Sequence, residues 1–304
     1  MPRRQAAGVL ARMSAEVASL AARVLRATVA VAGPTPDGGS SGSGFFIDAG
    51  GHIVTNQHVV DDVTPPITIS LHGGGTALAG VVGVDPIADI AVLRLNGEWP
   101  HHLSLRRSRV RPGEMCLAVG NPLGRYPESV TIGVVSGLAR TAAAGTGRPH
   151  YDLLQTDCDI HEGNSGGPLV DVRGRVIGIT TLLDTESPHI GLAVPAETVR
   201  VIVPELLANG RVDRATLGVS VARRTVTVEG KPVAGLEVVR ITRPKDQRLE
   251  AGDVLVSLAG RPVRDAPALF ALLGRERIGR ATPAEVIRRG RRVAVSVIPW
   301  RLES

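Results

Sequence analysis

The stretch HEGNSGGPLV, His161 to Val170, sets a serine between glycines, where the backbone is hard to hold in regular structure. A serine so placed suits acyl transfer, which needs a nucleophilic hydroxyl and backbone N–H groups aimed at the oxyanion formed on attack. The glycine two residues before Ser165 lets the chain turn so that the amides of Gly163 and Ser165 converge, and Gly166 and Gly167 leave room for a substrate. A hydroxyl near its free pKa is a weak nucleophile, so a base must take its proton and a carboxylate must orient that base. His58, which closes the apolar strand in VTNQHVV, and Asp89, which opens the strand DIAVLRL, supply those types in the order His, Asp, Ser. Singly, each has a plain structural reading as a strand-end histidine, a turn aspartate or a tight glycine loop. Together, within a β-rich segment, they read as a nucleophilic triad.

The elements around them are short Val-rich runs separated by Gly, Pro, Asn and Asp, the pattern of an all-β chain. At 304 residues, with 43% hydrophobic content, the chain can bury a large core and is expected to form two domains. Aromatic residues are only 2%, so that core must be built from Val, Leu, Ile and Ala. From Ala27 to about Val194 the order is strand, turn, strand, as in a barrel or sandwich. Pro195 to Gly210 reads as a helix with Gly210 as its stop. A second unit of strands follows, with a helix at Ala266 to Gly274. No internal repeat is visible.

The N-terminal segment carries apolar residues Val9, Leu10, Met13, Val17, Leu20 and Val24 at three- and four-residue spacing, which describes an amphipathic helix. Arg12, Glu16 and Arg23 interrupt any secretory signal, and no run is long enough to span a membrane, so a cytoplasmic location is expected. The net charge of +6 and pI of about 10.2 come from arginines spread along the whole chain. The densest group, Arg288 to Arg292, reads as a solvated hairpin tip, and no nucleic-acid partner is expected. Cys116 and Cys158 read as buried thiols, with one bridge between them left open. Without Cys-x-x-Cys or regular His spacing, neither a metal nor another cofactor is expected, and His101-His102 reads as a loop pair.

The runs GSGFFID, GHIVTNQHVV, DPIADIAVLRL, AVGNPLG, TIGVVSGLAR, LLQTD, GNSGGPLVD, GRVIGITT and IGLAVP resemble successive strands of the HtrA/DegP family of trypsin-like serine proteases. The resemblance implies an all-β double barrel with His58 and Asp89 from the first barrel and Ser165 from the second. These would serve as base, orienting acid and nucleophile, with the amides of Gly163 and Ser165 as oxyanion donors. ANGRVDRATLGVSV and RLEAGDVLVSLAGRPV resemble the family's linker and its small α+β PDZ domain. The implied organisation is an N-terminal helix over 1–26, a protease domain over 27–200, a helix end and linker over 201–213 and a PDZ domain over 214–304. A peptide C-terminus would pair there as an added strand, its carboxylate meeting the loop Thr216, Leu217, Gly218 and Val219, with the helix of Leu269 and Leu272 as the other groove wall; ordinary core contacts are an equally good reading of either leucine alone.

The resemblance implies hydrolysis of unfolded or damaged polypeptide, with two rivals: a proteolytically silent PDZ or chaperone-like module, and a regulatory protease with one partner. It also implies a trimer, although the first 44 residues lack the aromatic residues through which family members trimerise. Asn164 stands where digestive relatives carry Asp, so activation through a new N-terminal ion pair is not expected. Asp159, six residues before Ser165, and Ile160, Leu182, Leu183 and Asp184 are candidates for the specificity pocket. An acidic pocket for Arg or Lys is one reading of Asp159, and a solvent-facing carboxylate paired locally is the other.

Overall fold

A valine-rich strand such as Thr28–Gly33 (β1) can bury both faces where its sheet closes on itself and is packed from outside, and a computed structural model of the chain shows two such closures. The structure describes residues 2–36, 38–120, 128–143, 149–161, 163–181, 190–242 and 248–302. After helix α1 (Pro2–Leu25) and β1 come β2 (Ser40–Phe46), β3 (His52–Thr55), the single turn α2 (Gln57–Val60), β4 (Ile67–Ser70), β5 (Thr76–Asp85) and β6 (Ile90–Arg94). These six strands close into a barrel in the order β1-β2-β3-β6-β5-β4. A second barrel follows from β7 (Met115–Gly120), β8 (Ser129–Ala143), β9 (Pro149–Thr156), β10 (Pro168–Asp171), β11 (Val176–Thr181) and β12 (Gly191–Pro195).

Each barrel encloses its own apolar cluster. Val29, Val31, Phe46, Ile53, Ile69 and Leu93 fill the first, and Cys116, Val135, Leu154, Leu169 and Ile177 the second. A third cluster lies between them, where Phe45, Val54 and Val92 of one barrel meet Leu117, Val170 and Ile179 of the other. Leu20 and Val24 of α1 join that cluster, as do Val199, Ile202, Val203 and Leu206 of α3 (Ala196–Asn209). Their spacing puts one face of α3 against the barrels. α3 stops as expected: Gly210 adopts a left-handed φ of 71° and its N–H returns to Leu206 O.

Cys116 and Cys158 are free and buried, their Sγ atoms 3.7 Å apart inside the second barrel. The hydrogen bond with Cys158, together with burial, pushes the Cys116 thiol up.

The chain divides into two compact units, Met1–Val212 and Asp213–Ser304. The second contains β13 (Ala215–Thr216), β14 (Val219–Val228), β15 (Lys231–Ile241), β16 (Val254–Leu258), β17 (Arg261–Pro262), α4 (Ala266–Leu272), β18 (Thr282–Arg288), β19 (Arg291–Val297) and β20 (Trp300–Arg301). Its main sheet runs β14-β15-β16-β18-β19, so β14 is an edge strand, and β13 pairs with β20. Leu217, Leu236, Leu255, Leu269 and Val286 share its core. The arginine-rich turn at Arg289–Gly290 is a hairpin tip between β18 and β19, as the sequence suggested. Arg288 is not simply solvated, however: Nε and Nη2 each donate at 2.8 Å to the buried Asp253 carboxylate. Among the described residues no helix is long and apolar enough to cross a membrane.

Candidate active site

His58 lies on α2 and not at a strand end, a correction to the reading of VTNQHVV. Asn56, between β3 and α2, is extended and its Nδ2 donates to Asp89 O at 2.9 Å, tying the two approaches to the site together. Asp89 directly precedes β6 with a φ of 54°, a left-handed conformation that aspartate tolerates because its side chain is short and polar. That turn aims a carboxylate with only 3% side-chain exposure at His58. Oδ1 accepts from the His58 backbone N–H and from Nδ1, both at 3.0 Å, while Oδ2 lies 2.9 Å from Nδ1. Because an ionised carboxylate only accepts, Nδ1 carries the proton of the neutral ring and Nε2 keeps the lone pair a base needs.

Ser165 sits in a turn fastened on three sides. Its carbonyl accepts from Ser43 N at 2.8 Å, Gly166 N donates to Thr180 O at 2.8 Å, and Thr180 Oγ1 donates to Asn164 O at 2.6 Å. Gly166, at φ 87°, could carry no side chain, since an added Cβ would stand 2.1 Å from Ser43 O. Asn164 N bonds His161 O at 3.0 Å, and Gly163 holds a φ of 94°. Among the described residues the amides of Gly163 and Ser165 donate to no partner, which leaves both open to an oxyanion. Ser165 Oγ makes no hydrogen bond to His58 in this structure. Such catalytic hydrogen bonds are often long without substrate. Asn164 is buried, a neutral amide where an activating ion pair would need a carboxylate.

The sequence reading missed four polar residues that build this site. Thr181 Oγ1 donates to Asp89 Oδ2 at 2.8 Å from the second barrel, Thr55 Oγ1 donates to Ser43 O at 2.7 Å, and Asn56 and Ser43 make the bonds already described. All four are buried polar side chains within or directly after apolar strands, in GSGFF, HIVTN and IGITT, and that anomaly was the available signal.

Asp159 does not reach a buried pocket. Its side chain is 61% exposed and pairs with His161 Nε2 at 2.9 Å, so the acidic-pocket expectation is corrected at this residue, because solvent and a neighbouring imidazole satisfy the carboxylate. Ile160 is buried in the second barrel. Leu182, Leu183 and Asp184 lie outside the described residues.

In the second unit, Thr216 ends β13, Leu217 is buried, Gly218 turns with φ 60°, and Val219 starts the edge strand β14. Gly218 N–H is held by Thr216 Oγ1 at 3.0 Å, so one of the amides expected to meet a ligand carboxylate is engaged here. Leu269 and Leu272 are each 4% exposed and belong to the core, the plain reading that the sequence left open for either residue alone. Phe270 is a large exposed apolar residue of α4.

Residues 42–179 match the family model of the trypsin-like peptidase domain. The chain is 36% identical over 262 residues to the serine protease Do-like HtrB of Bacillus subtilis, covering 79% of this chain and 57% of that protein. It is 33% identical over 275 residues to the putative serine protease HhoA of Synechocystis, covering 84% and 69%. The chain thus spans somewhat more than half the length of these curated relatives. Among solved structures it resembles the HtrA-type protease AlgW bound to a tripeptide, with a TM-score of 0.82, 30% identity, and coverage of 94% of this chain and 97% of that one. With two closed six-stranded barrels, a paired histidine and aspartate, and a serine in a glycine turn, the chain belongs to the HtrA/Do-like family of trypsin-like serine proteases.

Proposed function

We propose that this chain is a serine endopeptidase acting on unfolded polypeptide, and that its second unit docks peptide C-termini along the β14 edge. The observation that carries the catalytic reading is the Asp89 carboxylate. It binds His58 from the first barrel and Thr181 from the second, so the base is oriented only where both barrels meet. His58 Nε2 takes the Ser165 proton as Oγ attacks the scissile carbonyl. Asp89 stabilises the imidazolium that results, and the Gly163 and Ser165 amides receive the oxyanion. The imidazolium then protonates the leaving amine, and water, deprotonated by the same ring, releases the acyl group.

Unfolded chain fits as substrate because a trypsin-like site binds its substrate extended, with main-chain pairing available to any sequence. The docking reading rests on the free edge of β14, beside a turn with a left-handed glycine.

Treatment with a fluorophosphonate, followed by peptide mapping, tests the catalytic reading. Ser165 is expected to be the modified residue, and Ser165→Ala is expected to lose digestion of unfolded casein by about 10⁶-fold in kcat. A protein that neither labels nor cleaves would instead be a silent binding module.

A further inference from the structure

The boundary between the two units shows how unevenly the chain divides its charge. Asp213–Ser304 holds 18 of the 35 lysines and arginines but only 10 of the 29 acidic residues, an excess of eight positive charges. Met1–Val212 carries two more acids than bases. Several cations of the second unit are already paired: Arg224 with Glu237 on the neighbouring strand, Arg288 with the buried Asp253, and Arg292 with Glu285. Arg223 of β14 and Arg240 of β15 are exposed, and among the described residues neither guanidinium has a hydrogen-bond or ion-pair partner.

The sheet gives those two charges a direction. Val219 and Val221 pack against the core cluster that Leu269 and Leu272 of α4 join, so that face of β14 looks toward α4. Side chains alternate along a strand, which sets Arg223 on the same face, two residues beyond Val221. Its cross-strand neighbour Leu236 is buried in the same cluster, in keeping with that face. Arg240 pairs with Ser220 and belongs to the opposite face. The other edge of β14 carries no strand. An added strand running antiparallel to β14, with its last residue opposite Val219, sets its third-last residue opposite Val221 and its fifth-last opposite Arg223, all on the face toward α4. Its second-last residue falls opposite Ser220, two strand spacings or about 10 Å from Arg240, a gap that two long side chains span.

We infer that the second unit selects peptide C-termini with acidic residues at the fifth-last and second-last positions, Arg223 and Arg240 supplying the opposite charges. This rests on the docking reading of β14. The unit's excess positive charge adds a longer-range attraction that draws the same acidic tails to the edge. A peptide fits better than a nucleic acid because the two unpaired arginines lie on opposite faces of the sheet and flank one strand edge, where an extended chain presents alternate side chains to both.

Short peptides with a C-terminal valine, varied only at those two positions, are titrated against the full chain carrying Ser165→Ala, which removes cleavage. The peptide with glutamate at both is expected to bind about tenfold more tightly than the one with lysine at both, and the gap should narrow in about 0.5 M NaCl. Arg223→Gln should remove about threefold of that preference, at the fifth-last position alone, and Arg240→Gln the same at the second-last. Arg223→Glu should invert the choice at the fifth-last position, an effect that no general loss of folding produces. Equal binding of the glutamate and lysine peptides, or a preference that survives both glutamine substitutions, overturns the inference. So does an RNA oligonucleotide that displaces the acidic peptide at comparable concentration and is itself weakened by Arg223→Gln, since the surface would then be a general polyanion site. The same peptides with an amidated C-terminus separate the two readings. If amidated and free forms bind alike, or neither binds, the docking reading falls and the inference with it. If only the free form binds, with glutamate and lysine equivalent, the inference alone falls.

Discussion

The two barrels share one strand order, since β7-β8-β9-β12-β11-β10 repeats β1-β2-β3-β6-β5-β4, yet they hold their catalytic groups by different means. The first presents His58 on a single helical turn and Asp89 on a tight turn, with the Asn56 side chain bridging the two. The second presents Ser165 on a glycine turn whose carbonyls are bound by Ser43 of the first barrel and Thr180 of its own. The acid–base half is therefore fastened mainly within its own barrel, and the nucleophile half depends on its neighbour. One architecture thus serves two needs: a base must keep a fixed tautomer, while an oxyanion turn must adopt a backbone conformation that only glycine reaches without strain.

Three experiments would break or sharpen that contrast. The largest effect is expected from Asp89→Asn, which keeps the shape of the side chain but offers His58 the wrong hydrogen-bonding partner, and kcat should fall about 10⁴-fold. A loss of only tenfold would show that the first barrel orients His58 without the carboxylate. Thr181→Val removes the bond that, among the described residues, reaches Asp89 from the second barrel. Hydrogen bonds to charged groups contribute about 1.5–3 kcal/mol, so kcat should fall at least about tenfold, with the pH profile of kcat/KM shifted as well. An unchanged profile would make the first barrel self-sufficient.

The smallest effect concerns acid stability. Glu114, just before β7, is held down to about 2 by its hydrogen bonds with the Arg106 guanidinium. A carboxylate depressed in the folded state adds stability above its usual value of 4.5, and that stability is lost as pH falls from there toward 2. Acid should therefore loosen the second barrel around Glu114, and amide protection at β7, taken relative to the intrinsic exchange rate at each pH, should fall below pH 4.5 in the native protein and much less in Glu114→Gln.

Legibility in the sequence follows how local each determinant is. Ser165 between glycines, His58 and Asp89 were readable because their chemistry restricts residue type, and Gly210 because a helix end restricts backbone conformation. The repeated barrel topology was not readable, since the same strand order is reached with different side chains and no sequence repeat survives to mark it. The two readings of Asp159 stayed open in the sequence for a related reason. Spacing from Ser165 fixes where the backbone passes, whereas the direction of the side chain was settled by His161 and solvent.

By itself, then, the sequence determined the residue types of the triad, the positions where only glycine suits the turn, and the alternation that made the strands. Tertiary structure alone decided that Thr181 meets Asp89 across 92 residues, that Ser43 meets Gly163 across 120, and that Arg288 of the arginine-rich hairpin pairs with the buried Asp253. The physical reason is that turns and strands are selected by neighbours along the chain, while a buried polar group takes whichever partner barrel or sheet closure brings within hydrogen-bond distance.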